Sequence, residues 1–174
     1  LQHIRAQLNA GHAQEAWQAS LRLSKLKISD EAYEVIARAG LAAGKLSEAE
    51  RLIQKAPASE AIDLLRVRLA LRAEDDARAL KLLDAYLEKY AQPPFALLWA
   101  GELAERLGKG LRAEAYYQRA LQGTEAESRL AAFHLARLYH RRNQPERAQK
   151  ILAQHLERRP SDEQARRLLQ ELAR

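Results

Sequence analysis

Between its prolines and glycines the chain is a succession of stretches in which apolar residues recur every three or four positions. The clearest runs from Arg129 to Pro160. Leu135, Ala136 and Tyr139 fall on one face of a first helix, and Ala148, Leu152 and Leu156 on one face of a second. Asn143-Gln144-Pro145 interrupts the pattern between them, and Pro160 closes the unit before Ser161. No stretch alternates apolar and polar residues as a half-buried strand would. The pattern therefore predicts an all-α chain built from antiparallel helix pairs.

The same two-helix pattern recurs along the chain. Leu1, Ile4 and Leu8 have helical spacing, Ala10-Gly11 turns the chain, and a second helix over Gln14 to Leu26 completes a truncated unit, 1–29. In the next unit, 30–58, Tyr33, Ile36, Ala37 and Gly40 recur at i, i+3, i+4 and i+7. Gly44 ends that helix, and Ser47-Glu48-Ala49-Glu50 reads as a capping box. Pro57 stops its second helix about a turn early. The unit 59–93 is the most degenerate. Ala79, Leu80, Leu83 and Leu87 mark its second helix, but Leu64, Leu65, Val67, Leu69 and Leu71 are spread around its first. Glu74-Asp75-Asp76 replaces a glycine turn there, so either the loop has gained a residue or both sides of the helix are covered. The unit 94–124 has Leu98, Gly101 and Ala104 on its first helix and Ala113, Tyr117, Ala120 and Leu121 on its second. Thr124-Glu125-Ala126-Glu127 is a further capping box and opens the unit 125–160. Ser161-Asp162-Glu163-Gln164 caps a last helix, 161–174, whose narrow stripe of Ala165, Leu168, Leu169 and Leu172 leaves the remainder polar.

A unit of about 34 residues with this order of small and large positions resembles the tetratricopeptide repeat. Ala37, Gly101 and Ala136 stand at the small position of the first helix, and Gly11, Gly44 and Gly108 at the turn. Ala16, Ala49, Ala79, Ala113 and Ala148 stand at the small position of the second helix, Ala56 and Ala120 at the next one, and Pro160 at the closing proline. Asn143 replaces the turn glycine, and Tyr86 and His155 stand where alanine is usual. The resemblance implies a right-handed α-solenoid of four to five repeats with a C-terminal capping helix, all one domain.

Composition narrows the chemistry. There is no cysteine and no methionine, which excludes disulfides, thiol catalysis and thiolate metal sites and makes the sequence read as a piece of a longer protein. No apolar run approaches the roughly 20 residues that span a bilayer. The five histidines form no H-E-x-x-H and no i, i+4 pair with a supporting carboxylate, and the serines have no neighbouring base. We expect no catalytic residue, metal or cofactor. The net charge of +6 is concentrated: Arg129–Arg174 carries eleven Lys and Arg against five Asp and Glu, while Leu1–Ser128 is balanced.

In the tetratricopeptide family the first helices of successive repeats line a concave face. On this chain the resemblance implies a ladder of Arg38, Arg68, Arg72, Arg106, Arg137 and Arg141 with His140, interleaved with the apolar Leu64, Leu98 and Phe133. Such a face suits a protein or peptide with acidic and apolar residues, because an arginine fork matches a carboxylate. The alternative is that these arginines pair with neighbouring glutamates. The positions of the carboxylate clamp known in chaperone-tail binders hold Glu34, Leu64, Leu98 and Phe133, which argues against that ligand. The Cys-free, Met-free, Arg- and Ala-rich array also resembles the periplasmic repeat regions of exopolysaccharide export proteins, and this favours a periplasmic over a cytoplasmic location. The other readings are RNA or polyanion binding through the basic C-terminal repeats and a regulatory domain of a larger enzyme. Nucleic acid is disfavoured because no base-reading pair recurs.

Overall fold

The computed structural model describes residues 1–23 and 29–172. Its helices are α1 (Gln2–Asn9), α2 (Ala13–Leu23), α3 (Asp30–Ala42), α4 (Leu46–Ile53), α5 (Glu60–Arg72), α6 (Asp76–Lys89), α7 (Pro94–Arg106), α8 (Gly110–Ala120), α9 (Glu125–Arg141), α10 (Pro145–Arg158) and α11 (Glu163–Leu172). No strand occurs among the described residues. The fold is all-α, of the α-solenoid class. The chain divides within α6 into two compact units, Leu1–Tyr86 and Leu87–Arg174. Leu26, expected at the end of α2, lies outside the described residues.

Each helix pair is joined by the same device. The links α1–α2, α3–α4, α5–α6, α7–α8 and α9–α10 are all three residues long, and the middle residue is left-handed: Gly11 (φ 79°), Gly44 (70°), Glu74 (56°), Gly108 (70°) and Asn143 (55°). The third residue donates its N–H back to a carbonyl five positions earlier. These bonds are His12 to Gln7 (2.9 Å), Lys45 to Gly40 (2.8 Å), Asp75 to Ala70 (3.0 Å), Lys109 to Ala104 (2.7 Å) and Gln144 to Tyr139 (2.9 Å). This is the Schellman closure, which satisfies carbonyls that the helix end would otherwise orphan. The degenerate turn at Glu74 has therefore gained no residue. Its glycine is replaced by a glutamate in the same conformation, and Asp75 caps α6 by accepting from the Arg78 N–H at 3.0 Å.

Two expected caps differ. Ser47 does not open a capping box, because α4 begins at Leu46 directly after the closed turn, and Glu50 instead accepts from Arg78 at 2.7 Å. At α11 the cap is Asp162 rather than Ser161, with its carboxylate accepting from the Ala165 N–H at 3.0 Å. The box at Thr124 and Glu127 is present.

The first unit packs around Trp17, Ile36, Ile53, Ile62, Leu65 and Leu69. Close helix approach depends on missing side chains. A Cβ on Gly40 would lie 2.5 Å from that of Ala49 and 3.0 Å from the Trp17 ring. Ala16, Ala37, Ala49 and Ala79 are wholly inaccessible, so a larger residue at any of them costs about 1–3 kcal/mol by overpacking. Helix α5 buries Ile62, Leu65, Val67, Leu69 and Ala70 around much of its circumference because it is covered on several sides, and Arg68 and Arg72 mark the side left open. It packs on α3 and α4, and Glu60 at its start accepts from the Tyr86 hydroxyl of α6 at 2.7 Å. That hydrogen bond accommodates the tyrosine at a position where alanine is usual.

In the second unit the tightest crossing is α7 on α8. A Cβ on Gly101 would come within 2.3 Å of the Tyr117 ring. Tyr117 is fully buried and stacks on His134 of α9, with centroids 4.9 Å apart. Its hydroxyl has no hydrogen-bond partner among the described residues. Burial, aided by the nearby charge of Glu102, holds that hydroxyl far above the usual tyrosine pKa.

Glu114 of α8 joins three helices. It accepts from the Tyr139 hydroxyl of α9 (2.9 Å), from Arg142 in the α9–α10 turn (2.7 Å) and from Arg147 of α10 (2.7 Å). The Arg147 guanidinium also lies over the Tyr139 ring at 4.1 Å. Burial by itself would raise the Glu114 pKa, but the hydrogen bonds from Tyr139, Arg147 and Arg142 outweigh it and hold it below the ordinary 4.5. His155 of α10, only 7% exposed, bonds Asp162 at 2.9 Å and so ties α10 to the cap of α11. Burial would likewise raise the Asp162 pKa, but the bonds from His155 and the Ala165 N–H keep it below 3.8.

Three outcomes follow from this packing. Glu74→Gly relieves a left-handed non-glycine residue and should raise stability by about 1 kcal/mol in urea unfolding. Tyr117→Phe, which removes a buried hydroxyl without a partner, should leave the melting temperature unchanged or higher, whereas Tyr139→Phe should lose about 1 kcal/mol. The Glu114 contribution is complete above pH 4.5, where the unfolded carboxyl is ionised too. It declines as pH falls through the lower folded pKa, because the unfolded chain takes up the proton first. Stability measured from pH 6 down to about pH 3 should therefore fall less steeply in Glu114→Gln than in the parent.

Candidate partner-binding surface

Within each unit the first helices of the pairs form a row. In the first unit α3 packs on both α1 and α5, and in the second α9 packs on both α7 and α11. The exposed stripe of each such helix is set by helical spacing. On α3 it runs through Glu31, Glu34, Arg38 and Leu41, and on α5 through Ala61, Leu64, Arg68 and Arg72. Arg38 lies 4.0 Å from Glu34, a loose i, i+4 pair. Arg68 and Arg72 are exposed one turn apart, with half-buried Leu64 and Leu71 beside them. Neither makes an ion pair among the described residues. Arg66, by contrast, is turned inward, bonded to Asp63 at 2.8 Å and to the Ile53 carbonyl at 3.3 Å.

On the second unit's row the stripe of α7 passes through Phe95, Trp99, Glu102 and Arg106. Leu98, expected among the apolar positions of this face, is 6% exposed. It lies on the row shared with Gly101, which is turned into the α7–α8 crossing. The aromatic that the stripe presents is half-buried Trp99, set edge-on to Phe95 at 5.4 Å. On α9 Leu130 is 46% exposed, Phe133 is half-buried, and Arg137, His140 and Arg141 are exposed.

Two links cross from α7 to α9. His134 approaches Glu102 at 3.3 Å, and Arg141 is ion-paired with Glu105, whose side chain is 18% exposed. The charge of Arg141 is thus matched within the fold, while Arg137 has no ion-pair partner among the described residues. The expected cationic ladder is therefore uneven. Arg68, Arg72 and Arg137 face solvent with their charge unmatched, Arg38 is weakly paired, and Arg141 is a link between helices.

Sequence reasoning gave His134 and Trp99 no place on this face. The signal for His134 was its distance from Glu102, close to one repeat, which sets two residues side by side on neighbouring first helices. Glu105 and Arg141 obey the same rule. His155 is likewise structural, through Asp162, and His3, His12 and His140 are exposed. Among the described residues no group of three His, Asp or Glu is placed to hold a metal ion, and no helix is long and apolar enough to cross a membrane.

Comparison with known proteins bears on the family. Residues 106–172 match the family model described as tetratricopeptide repeat. No curated protein matches the chain in sequence. Among solved structures, a thermophilic TPR protein from Thermus thermophilus superposes with a TM-score of 0.56 at 20% identity, over 99% of this chain and 96% of that one. The chain has the fold of a tetratricopeptide-repeat protein, and its residues 106–172 are similar in sequence to that repeat family.

Proposed function

We propose that this chain is a non-catalytic protein-interaction scaffold whose first-helix rows take up a partner segment bearing acidic and apolar residues. The observation that carries this is the pairing, on one exposed stripe, of unmatched arginines with partly exposed apolar side chains: Arg68 and Arg72 beside Leu64 and Leu71 in the first unit, Arg137 beside Phe133 and Leu130 in the second. A guanidinium left unpaired on a rigid helix is pre-organised for a carboxylate, and a half-buried leucine or phenylalanine supplies the apolar anchor at little further ordering cost. The repeat fold supports the same class of role. A composition without cysteine or methionine supports placing such a scaffold in a bacterial envelope, beside components of polysaccharide export.

The test is a set of labelled synthetic peptides measured by fluorescence anisotropy: one alternating Asp or Glu with Leu, one with Lys in place of the acids, and one with Ser in place of the leucines. The first should bind, more weakly as salt rises, and the other two should not. Arg68→Glu with Arg72→Glu should keep the helical circular dichroism and melting temperature while losing on the order of tenfold in affinity. Equal binding of the lysine peptide, or a double variant that binds like the parent, would sink the reading. A double variant that melts early would show instead that these arginines are structural.

A further inference from the structure

Away from the first-helix row, the second unit holds a cleft of about 420 Å³. It opens where the turn after α8 meets the start of α9 and the second half of α10. Its polar lining is Gln122 from the turn, Ser128 from α9, and Gln154, His155, Arg158 and Arg159 at the end of α10. Among the described residues no carboxylate lines it. Two guanidinium groups, two amides and a hydroxyl therefore border one space.

We propose that this cleft binds a small organic phosphate monoester. Four features of the site point to that class. Arg158 is exposed and has no ion-pair partner among the described residues, so its charge is available without breaking a contact. Arg159 is held by Glu125, but that glutamate is 76% exposed, and an ion pair so open to water contributes little and yields readily to a better acceptor. The far wall is fixed in advance. The His155 ring is buried, bonded to Asp162 behind it and set edge-on to Phe133 at 6.2 Å.

The fourth feature is the number and spread of donors. A carboxylate is satisfied by one guanidinium fork, whereas a phosphoryl group offers three oxygens and takes hydrogen bonds from several directions. The Ser128 hydroxyl and the amides of Gln122 and Gln154 supply the directions that the arginines leave open. The cleft's volume is in the range of small-molecule sites, well beyond what a phosphate ion alone fills. Leu121, Ala132 and Ile151, which also line it, give an organic portion something to rest on.

The test is titration calorimetry of the whole chain in chloride buffer at constant ionic strength, with glycerol 2-phosphate, inorganic phosphate and glycerol as probes. The monoester should give saturable binding, inorganic phosphate weaker binding, and glycerol none. Arg158→Gln should weaken the monoester on the order of tenfold. Gln154→Glu, which sets a carboxylate in the cleft at an exposed helical position, should weaken it at least as much with the melting temperature kept. Arg72→Gln, in the other unit, should bind like the parent. No saturable heat with the monoester, equal binding of glycerol, or affinity unchanged in both Arg158→Gln and Gln154→Glu would overturn the assignment.

Discussion

Helices lie closest where side chains are absent, and this chain puts such absences at Gly40 and Gly101. Gly101 lets the Tyr117 ring sit on the backbone of α7, and Gly40 does the same for Ala49 and Trp17. Once the crossing is that tight, the remaining geometry is constrained. The aromatic that fills the notch is fully buried, and the next first helix is brought within reach of the previous one, as His134 is brought onto Tyr117 and Glu102. Apolar burial contributes about 25 cal/mol per Å², but it is the vacant Cβ positions that decide which surfaces are buried against which.

Polar contacts then fix the register that packing leaves loose. Glu114 is nearly enclosed and would be costly there by itself. Three donors, Tyr139 from α9, Arg142 from the turn after it and Arg147 from α10, offset that cost. A buried charge with several matched donors specifies an arrangement more than it adds to stability. The pair of His155 and Asp162 does similar work at the last helix, where the capping residue of α11 is held by a side chain from α10. Arg141 on Glu105 belongs with these. The candidate binding face and the scaffold thus share residues, and only some of the arginines expected to bind are left over to do so.

Much of the fold was legible because the apolar positions repeat with helical period and the small residues fall in phase. Ala16, Ala49, Ala79, Ala113 and Ala148 mark the second helix of each pair and are all wholly buried. The caps were less legible. Ser47 has the right residue type with Glu50 at the right spacing, but a closed turn starts α4 before it, so backbone geometry overrode local chemistry. The face of α7 misled for a different reason. Leu98 and Trp99 are adjacent and both apolar, and which of them turns outward depends on how α7 rotates to seat Gly101 on Tyr117. That rotation is a property of two helices together and is not written in either one. The ion pairs lay further still from view, since they join residues about a repeat apart whose partners change with each helix.

The five turns share one length and one closing hydrogen bond while their central residue runs Gly, Gly, Glu, Gly, Asn. Ordinary surface loops tolerate insertions and deletions. Here one residue more or fewer would rotate the following helix by about 100° and carry its stripe of alanines and leucines out of the core. Side chains at the tip point to water and are free to vary, but the count of residues is not. The turn acts as a fixed-length spacer, so this chain can change what its loops are made of far more easily than how long they are.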